Sequence, residues 1–332
     1  MMSLPGSGAA ARSPLLFAAA LTAASAFIMN AEVLVMKLMG PAVPVAMIVC
    51  VRSLAQLVWV APTLARLGLG MFRTNHLKLH LLRGVLSAAE VQRLARGIDT
   101  NLATPSPRAI VASRPDDPGF FIEDFCNWQA NADYRATALH TPLPQVAARL
   151  MRSRSVRLYH DHMLTKEPGT RQKTPWHQDQ PYYNVDGLQN VSFWIPADPV
   201  ARPSTLEFVA GSHRGPWLMP RTFMTHEARW FPEGSLADLP DIEANRAGFP
   251  ILGWALEPGD VVAFHMLALH AAGGVAPGQR RRVFSLRYLG DDARHAPRRW
   301  TTSPDFPGLT DRLPPGAPMD DALFPLLVGG SP

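Results

Sequence analysis

Cysteine is nearly absent from this 332-residue chain, which has only Cys50 and Cys126. No disulfide framework is therefore expected. Acidic residues are scarce in the first quarter. Residues 1–86 carry seven Lys or Arg against one acid, Glu32, a local charge of +6 in a chain whose total is +5. The basic balance thus belongs to the N-terminal part, and the remainder, at −1, gives no reason to expect a nucleic-acid partner. No internal repeat is visible. What is present is 47% hydrophobic, with 32 Pro and 24 Gly. That is the composition of a folded or partly membrane-embedded chain with many turns, long enough for more than one unit.

The N-terminal part has long apolar runs. Residues 15–31, "LLFAAALTAASAFIMNA", and residues 42–65 are each about long enough to cross a bilayer as a helix. Glu32, Lys37 and Arg52 are costly there, and a cleaved signal peptide or a pair of buried helices are the alternatives. Arg66, Arg73, Lys78 and Arg83 follow the second run, so the positive-inside bias puts both ends of the hairpin in the cytoplasm. The segments "NAEVLVMKLMG", "VRSLAQLVWVAPTLA" and "HLKLHLLRG" resemble the start of drug/metabolite (EamA-type) transporters. Two helices cannot enclose a substrate path, so residues 1–83 are expected to anchor rather than transport.

From "LSAAEVQRLARGIDTNL" onward the pattern is that of a soluble domain. Ser87 with Glu90 three residues later forms a capping-box signature, and Val91, Leu94 and Ile98 follow at helical spacing. Residues 143–152 read as another short helix. Then "VRLYHDHML", "NVSFWIP", "TLEFVAG", "DVVAFHMLALH" and "RVFSLRYLG" read as strands of an all-β core. Residues 214–250 read as a long insertion between strands, of the kind that covers a site. The Pro-rich chain from Asp291 reads as an extended strap over the surface.

The stretch "KTPWHQDQPYYNVDG" places His177 and Asp179 two residues apart, on one face if the segment is a strand. One imidazole and one carboxylate suit a divalent metal but need a third ligand. His265 and His270 in "GDVVAFHMLALHAAGG" have opposite parity, and His270 stands at the strand end before a Gly-rich turn, where a ligand reaches a cavity mouth. With His270, two His and one carboxylate leave three adjacent positions open. That suits a non-haem Fe(II) oxygenase, in which a 2-oxoacid chelates through two oxygens and O2 takes the third position. The distal carboxylate of such a cosubstrate calls for an Arg. Arg281 follows on the next strand, and by alternation Arg281, Val283, Ser285 and Arg287 share a face.

"TPWHQDQPYYNV", "VSFWIPAD", "LEFVAGSHRG", "GDVVAFHMLALHAAGG" and "RRRVFSLRYLGDD", in this order, resemble the phytanoyl-CoA dioxygenase family. The resemblance implies a mainly β fold, a double-stranded β-helix (jelly roll) with flanking helices over residues 84–325, before a tail at 326–332. It implies Fe(II) held by His177, Asp179 and His270, with 2-oxoglutarate and O2 as cosubstrates. Arg281 is then the 2-oxoglutarate-binding Arg, with Trp194 nearby and Ser285 adding a hydrogen bond. Related halogenases lack the metal-binding carboxylate, so Asp179 implies hydroxylation, with release of succinate and CO2. His162, Lys166 and Arg287 are expected to contact a small-molecule substrate. His160 and His162 form a rival metal pair or line the barrel. His213 reads as structural or near substrate, and Tyr182 and Tyr183 as packing or pocket wall. The family's usual opening is replaced here by "LHLLRGVLSAAEV". The chain thus reads as a fusion: a cytoplasmic oxygenase domain anchored to the membrane through residues 15–65. The alternative is a catalytically inactive or misfolded fusion, at most a membrane-anchored binding module. Oligomeric state is left open.

Overall fold

The structure, a computed structural model, describes residues 85–219, 231–232 and 234–329. The two expected membrane spans lie outside the described residues. Among the described residues no helix is long and apolar enough to cross a membrane.

Three helices open the domain. Helix α1, Ala88–Ala103, begins at the capping box expected from its sequence: the Ser87 backbone N–H donates to Glu90 Oε2 at 2.7 Å and the Glu90 N–H donates to Ser87 Oγ at 3.4 Å. Both otherwise orphaned donors are met within the first turn. Helix α2, Ala132–His140, is capped by Asn131, whose side chain accepts from Asp133 and Tyr134. Helix α3, Leu143–Met151, has Pro144 in its first turn and ends where Arg152 takes a left-handed conformation, φ 53°.

The strands, in chain order, are β1 Ile110–Val111, β2 Phe121–Phe125, β3 Val156–Lys166, β4 Thr174–His177, β5 Val185–Asp186, β6 Asn190–Pro196 and β7 Leu206–Val209. They continue as β8 Ile251–Leu252, β9 Val262–Phe264, β10 His270–Ala272, β11 Arg281–Leu289, β12 Arg294–His295 and β13 Leu326–Val328. The main sheet runs β1-β2-β3-β11-β6-β9, with β13 also pairing β3; the second sheet runs β4-β10-β7-β8. All named pairings are antiparallel. This is a mainly β fold with flanking helices, consistent with a jelly-roll oxygenase.

Register decides what each face of the main sheet carries. Arg281, Val283, Ser285 and Arg287 on β11 stand opposite Lys166, Leu164, His162 and His160 on β3. Val283, Ser285 and Arg287 also stand opposite Pro196, Trp194 and Ser192 on β6. Directly opposed residues share a face, so all of these point inward, as alternation on β11 predicts. The residues between them, Phe284, Leu286, Tyr288, Phe193 and Ile195, join Leu94, Ile98, Tyr134 and Leu143 in the core under the helices. The sheet is therefore apolar toward the helices and polar toward the second sheet. Trp194 and Val283 of the main sheet meet Leu206, Phe208 and Ala272 of the second in a smaller apolar cluster between the two.

Two expectations change. "DVVAFHMLALH" is not one strand: β9 belongs to the main sheet and β10 to the second, and a turn closed by Ala268 N–H to His265 O (2.8 Å) carries the chain across. Parity between His265 and His270 therefore has no meaning. The segment after Asp291 is also more than a surface strap. Leu309, Leu313, Met319 and Phe324 are buried against Tyr159 and Tyr183. The residues expected to form a tail after 325 instead supply β13, whose Leu326 and Val328 pair with β3.

Phe284 is fully buried and its ring stacks on Tyr134 at 4.2 Å, joining sheet to helices. Phe284→Ala is expected to lower unfolding free energy by about 3–5 kcal/mol. Urea denaturation checks this, and a loss under about 1 kcal/mol would contradict the packing described.

Candidate metal centre

His177 and His270 face each other because β4 and β10 pair in that register, His270 against His177. Strand β4 stops at His177. Asp179 lies beyond it, in a helical backbone conformation at the start of the 3-10 turn Gln180–Tyr182. The backbone N–H groups of Asp179 and Gln180 both donate to Met266 O, at 2.8 and 3.1 Å. The turn, and not strand alternation, is what brings Asp179 beside His177. Gln178 is turned away as expected: it donates to Leu267 O at 3.0 Å and accepts from Leu218 N–H at 2.8 Å, fastening residues 216–218 to the turn.

His177 Nε2 and His270 Nε2 lie 3.6 and 3.8 Å from Asp179 Oδ1. The three ligand atoms fall within 4.8 Å of one another, the one such group of three among the described residues. A metal at ~2.1 Å from each atom holds adjacent ligands about 3 Å apart, so closure takes less than an ångström. Each Nδ1 is 2.8 Å from a backbone carbonyl, Pro175 O for His177 and Ala268 O for His270. A carbonyl only accepts, so Nδ1 carries the proton and Nε2 keeps a bare lone pair toward the centre. Burial pushes the His270 imidazole down to about 3, which keeps it neutral.

Asp179 is held on its far side. Its Oδ2 accepts from Ser192 Oγ at 3.0 Å and from Arg287 Nη2 at 3.2 Å, and Arg287 Nε donates to Tyr183 OH at 3.1 Å. Burial works against the carboxylate. Arg287, with the neighbouring imidazoles, outweighs burial and holds the carboxyl well below the usual range. Arg287 was expected at the substrate; the structure pairs it with Asp179. Ser192 was missed, although it shares parity with Trp194 on β6, which is a readable signal.

Arg281 lies along the same face. It is 2% exposed, donates Nη1 to Ser204 O, and sits over the Trp194 ring at 5.5 Å. Among the described residues its Nε has no hydrogen-bond partner and no carboxylate pairs with it. Burial lowers the guanidinium to about 10, which still leaves it charged at neutral pH. A buried cation with an unmet donor is costly, and the site fits an incoming carboxylate. Ser285 is less available, since its hydroxyl already donates to Phe193 O at 2.7 Å.

Lys166 was expected at the substrate; the structure turns it to backbone carbonyls. Its ammonium is buried, donating to Gln172 O at 2.7 Å and Gly273 O at 2.9 Å, over the Phe121 ring at 4.6 Å. Gly273 allows this turn, because a Cβ there would lie 2.3 Å from Pro203 O. His162 Nε2 is 3.1 Å from Glu123 Oε2, and neither His160 nor His162 belongs to a group of three possible metal donors among the described residues. His265 Nε2 lies 2.9 Å from Leu188 O, and His213 packs beside it at 5.7 Å between ring centroids. Tyr182 stands edge-on to His177 at 6.0 Å and contacts Phe231 of the long insertion at 5.7 Å.

A family model described as phytanoyl-CoA dioxygenase (PhyH) matches residues 80–283. A Caenorhabditis elegans protein described as a probable phytanoyl-CoA dioxygenase is 24% identical over 182 residues, 53% of each chain. The chain spans about half the length of that curated relative. Two solved structures from nogalamycin biosynthesis share the fold at 23% identity. The non-heme α-ketoglutarate-dependent epimerase SnoN has a TM-score of 0.60 over 75% of this chain and 91% of its own. The carbocyclase SnoK has 0.57 over 76% and 94%. SnoN has also been solved with Fe3+ and α-ketoglutarate.

Loss of the Ser192 hydroxyl leaves the metal-binding atoms in place but loosens Asp179. Ser192→Ala is expected to weaken anaerobic Mn(II) binding roughly 10- to 100-fold, measured by calorimetry. Unchanged affinity would contradict the role given to this hydrogen bond.

Proposed function

The chain belongs to the phytanoyl-CoA dioxygenase family, and from that premise we propose an Fe(II)- and 2-oxoglutarate-dependent dioxygenase that hydroxylates a small organic substrate, releasing succinate and CO2. One observation supports this reading above others. A three-donor site of two imidazoles and one carboxylate lies beside the inner face that carries Arg281, a buried cation without an anion among the described residues.

Bound by His177, Asp179 and His270, Fe(II) supplies O2 activation coupled to oxidative decarboxylation of 2-oxoglutarate. The residues prepare for this. Two imidazoles present lone pairs, their protons committed to Pro175 O and Ala268 O. One carboxylate neutralises only half the metal's charge, so an anionic chelator is favoured. Arg281 binds the distal carboxylate of that chelator and Trp194 walls it from water. Asp179 fills the position that a halide would need, which favours hydroxylation over halogenation. Burial of all three ligands keeps the reactive centre from bulk water.

We read residues 1–83, from sequence alone, as a transporter-like pair of helices that anchors this domain on the cytoplasmic side of a membrane. The full chain is then expected to pellet with membranes and to resist extraction by high salt. Recovery in the supernatant would contradict the anchor and leave the enzyme reading untouched.

The function is tested by anaerobic visible spectra of the full chain titrated with Fe(II) and then 2-oxoglutarate. A weak charge-transfer band is expected in wild type and is lost in His177→Ala and His270→Ala. Arg281→Met should weaken 2-oxoglutarate binding by about 30-fold or more, because it removes one partner of a buried charge pair. Folded protein with no band would overturn the reading.

A further inference from the structure

The inward face of the main sheet divides by strand. Over β6 and β11 stand Ser192, Trp194, Arg281, Ser285 and Arg287, which surround the metal and the cosubstrate cation. Over β2 and β3 stand Glu123, Phe125, His160 and His162, which serve neither. Glu123 opposes Leu164, and Phe125 opposes His162, so these side chains share the inward face. Strand β2 is two strand spacings, about 10 Å, from β11.

Glu123 is 5% exposed. Its Oε2 takes the Nε2–H of His162 at 3.1 Å, and the His162 ring is fixed by stacking on Phe125 at 4.0 Å. Its Oε1 is buried with no hydrogen-bond partner among the described residues. His160 shows the same pattern one residue pair along β3. Its Nδ1–H points to Asp161 O at 3.2 Å, which leaves Nε2 a bare, buried acceptor without a partner. Both unmet atoms are acceptors on the same face, but His160 stands opposite Arg287, whose Nη1 is an unmet donor, whereas Glu123 stands opposite Leu164, four residues along β3 from His160. Native proteins rarely bury such an atom unmet, so whatever meets Glu123 Oε1 donates a hydrogen bond.

We propose that Glu123, positioned by His162, is the substrate-selecting subsite of this oxygenase and takes a small molecule carrying an N–H or O–H donor, an amine or an alcohol, over an apolar acyl chain. The proposal rests on the function given above and names the substrate class for that same site. A site built to meet a donor discriminates against the analogue that lacks it, because the acceptor is then left desolvated and unpaired. His162 is a positioning residue here, acting through Glu123.

The test is saturation-transfer NMR on the full chain with a panel of small cyclic alcohols and primary amines, cyclohexanol and cyclohexylamine among them. Each is matched to the analogue with methyl in place of the polar group. The donors are expected to bind at least about tenfold more tightly than their methyl analogues. Glu123→Leu should abolish the preference. The isosteric Glu123→Gln guards against loss of folding and separates the two sources: alcohols keep an acceptor, whereas amines lose the charge. Equal binding of the methyl analogues, no binding by any donor, or a preference that survives Glu123→Leu in folded protein would overturn the proposal and mean that water meets these acceptors. The Fe(II) and 2-oxoglutarate band of the wild type is read in parallel. A band without donor preference overturns this subsite alone. Donor preference without a band overturns the oxygenase reading and keeps the binding site.

Discussion

The buried ion pair between Asp179 and Arg287 is the contact on which the centre depends. Asp179 follows a strand of the second sheet and Arg287 belongs to the main sheet, so the pair spans the space between them. Both side chains are 5% exposed. An unpaired charge at such a depth costs several kcal/mol, and removing one partner typically costs about 3–5 kcal/mol because the other is stranded. Without Arg287, burial would favour a neutral carboxylic acid at Asp179, which is a poor metal ligand. The pair also sets direction. It occupies Oδ2 together with Ser192, and so leaves Oδ1 facing the two imidazoles.

The same economy runs across the inner face of the main sheet. Four of the six buried side-chain atoms that lack a hydrogen-bond partner among the described residues belong to it: Glu123 Oε1, His160 Nε2, Arg281 Nε and Arg287 Nη1. The helix-facing side of the same strands is apolar and closely packed. Lys166, by contrast, donates to two carbonyls, and the other two unmet atoms, Asn127 Nδ2 and Ser235 Oγ, lie off this face. Most of the unmet groups thus share the face that carries the candidate cosubstrate cation, Arg281. The arrangement favours function at some cost in stability, which the helix layer offsets through Phe284, Tyr134 and their neighbours.

Local signals in the sequence were enough for much of this. The Ser87–Glu90 box placed the first helix, and alternation along residues 281–289 placed Arg281, Ser285 and Arg287 on one face. Ser192 was within reach by its parity with Trp194. What local reading missed depends on contacts between distant segments. His270 joins the centre because β10 pairs with β4, a register that no short window contains. Its place before a Gly-rich turn singled it out, whereas its parity with His265 assumed a strand that the turn after Phe264 interrupts. Arg287 was legible as an inward cation, but its anion arrives from 108 residues away. Glu123 meets His162 across 39 residues and carries no motif of its own.

The most direct measurement is an anomalous difference map at the iron edge from crystals of the protein grown anaerobically with Fe(II). The account predicts one peak bonded to His177 Nε2, His270 Nε2 and Asp179 Oδ1 at about 2.0–2.2 Å, with Arg287 still on Oδ2. A peak at His160 and His162, or no peak in protein that retains this fold, would contradict it.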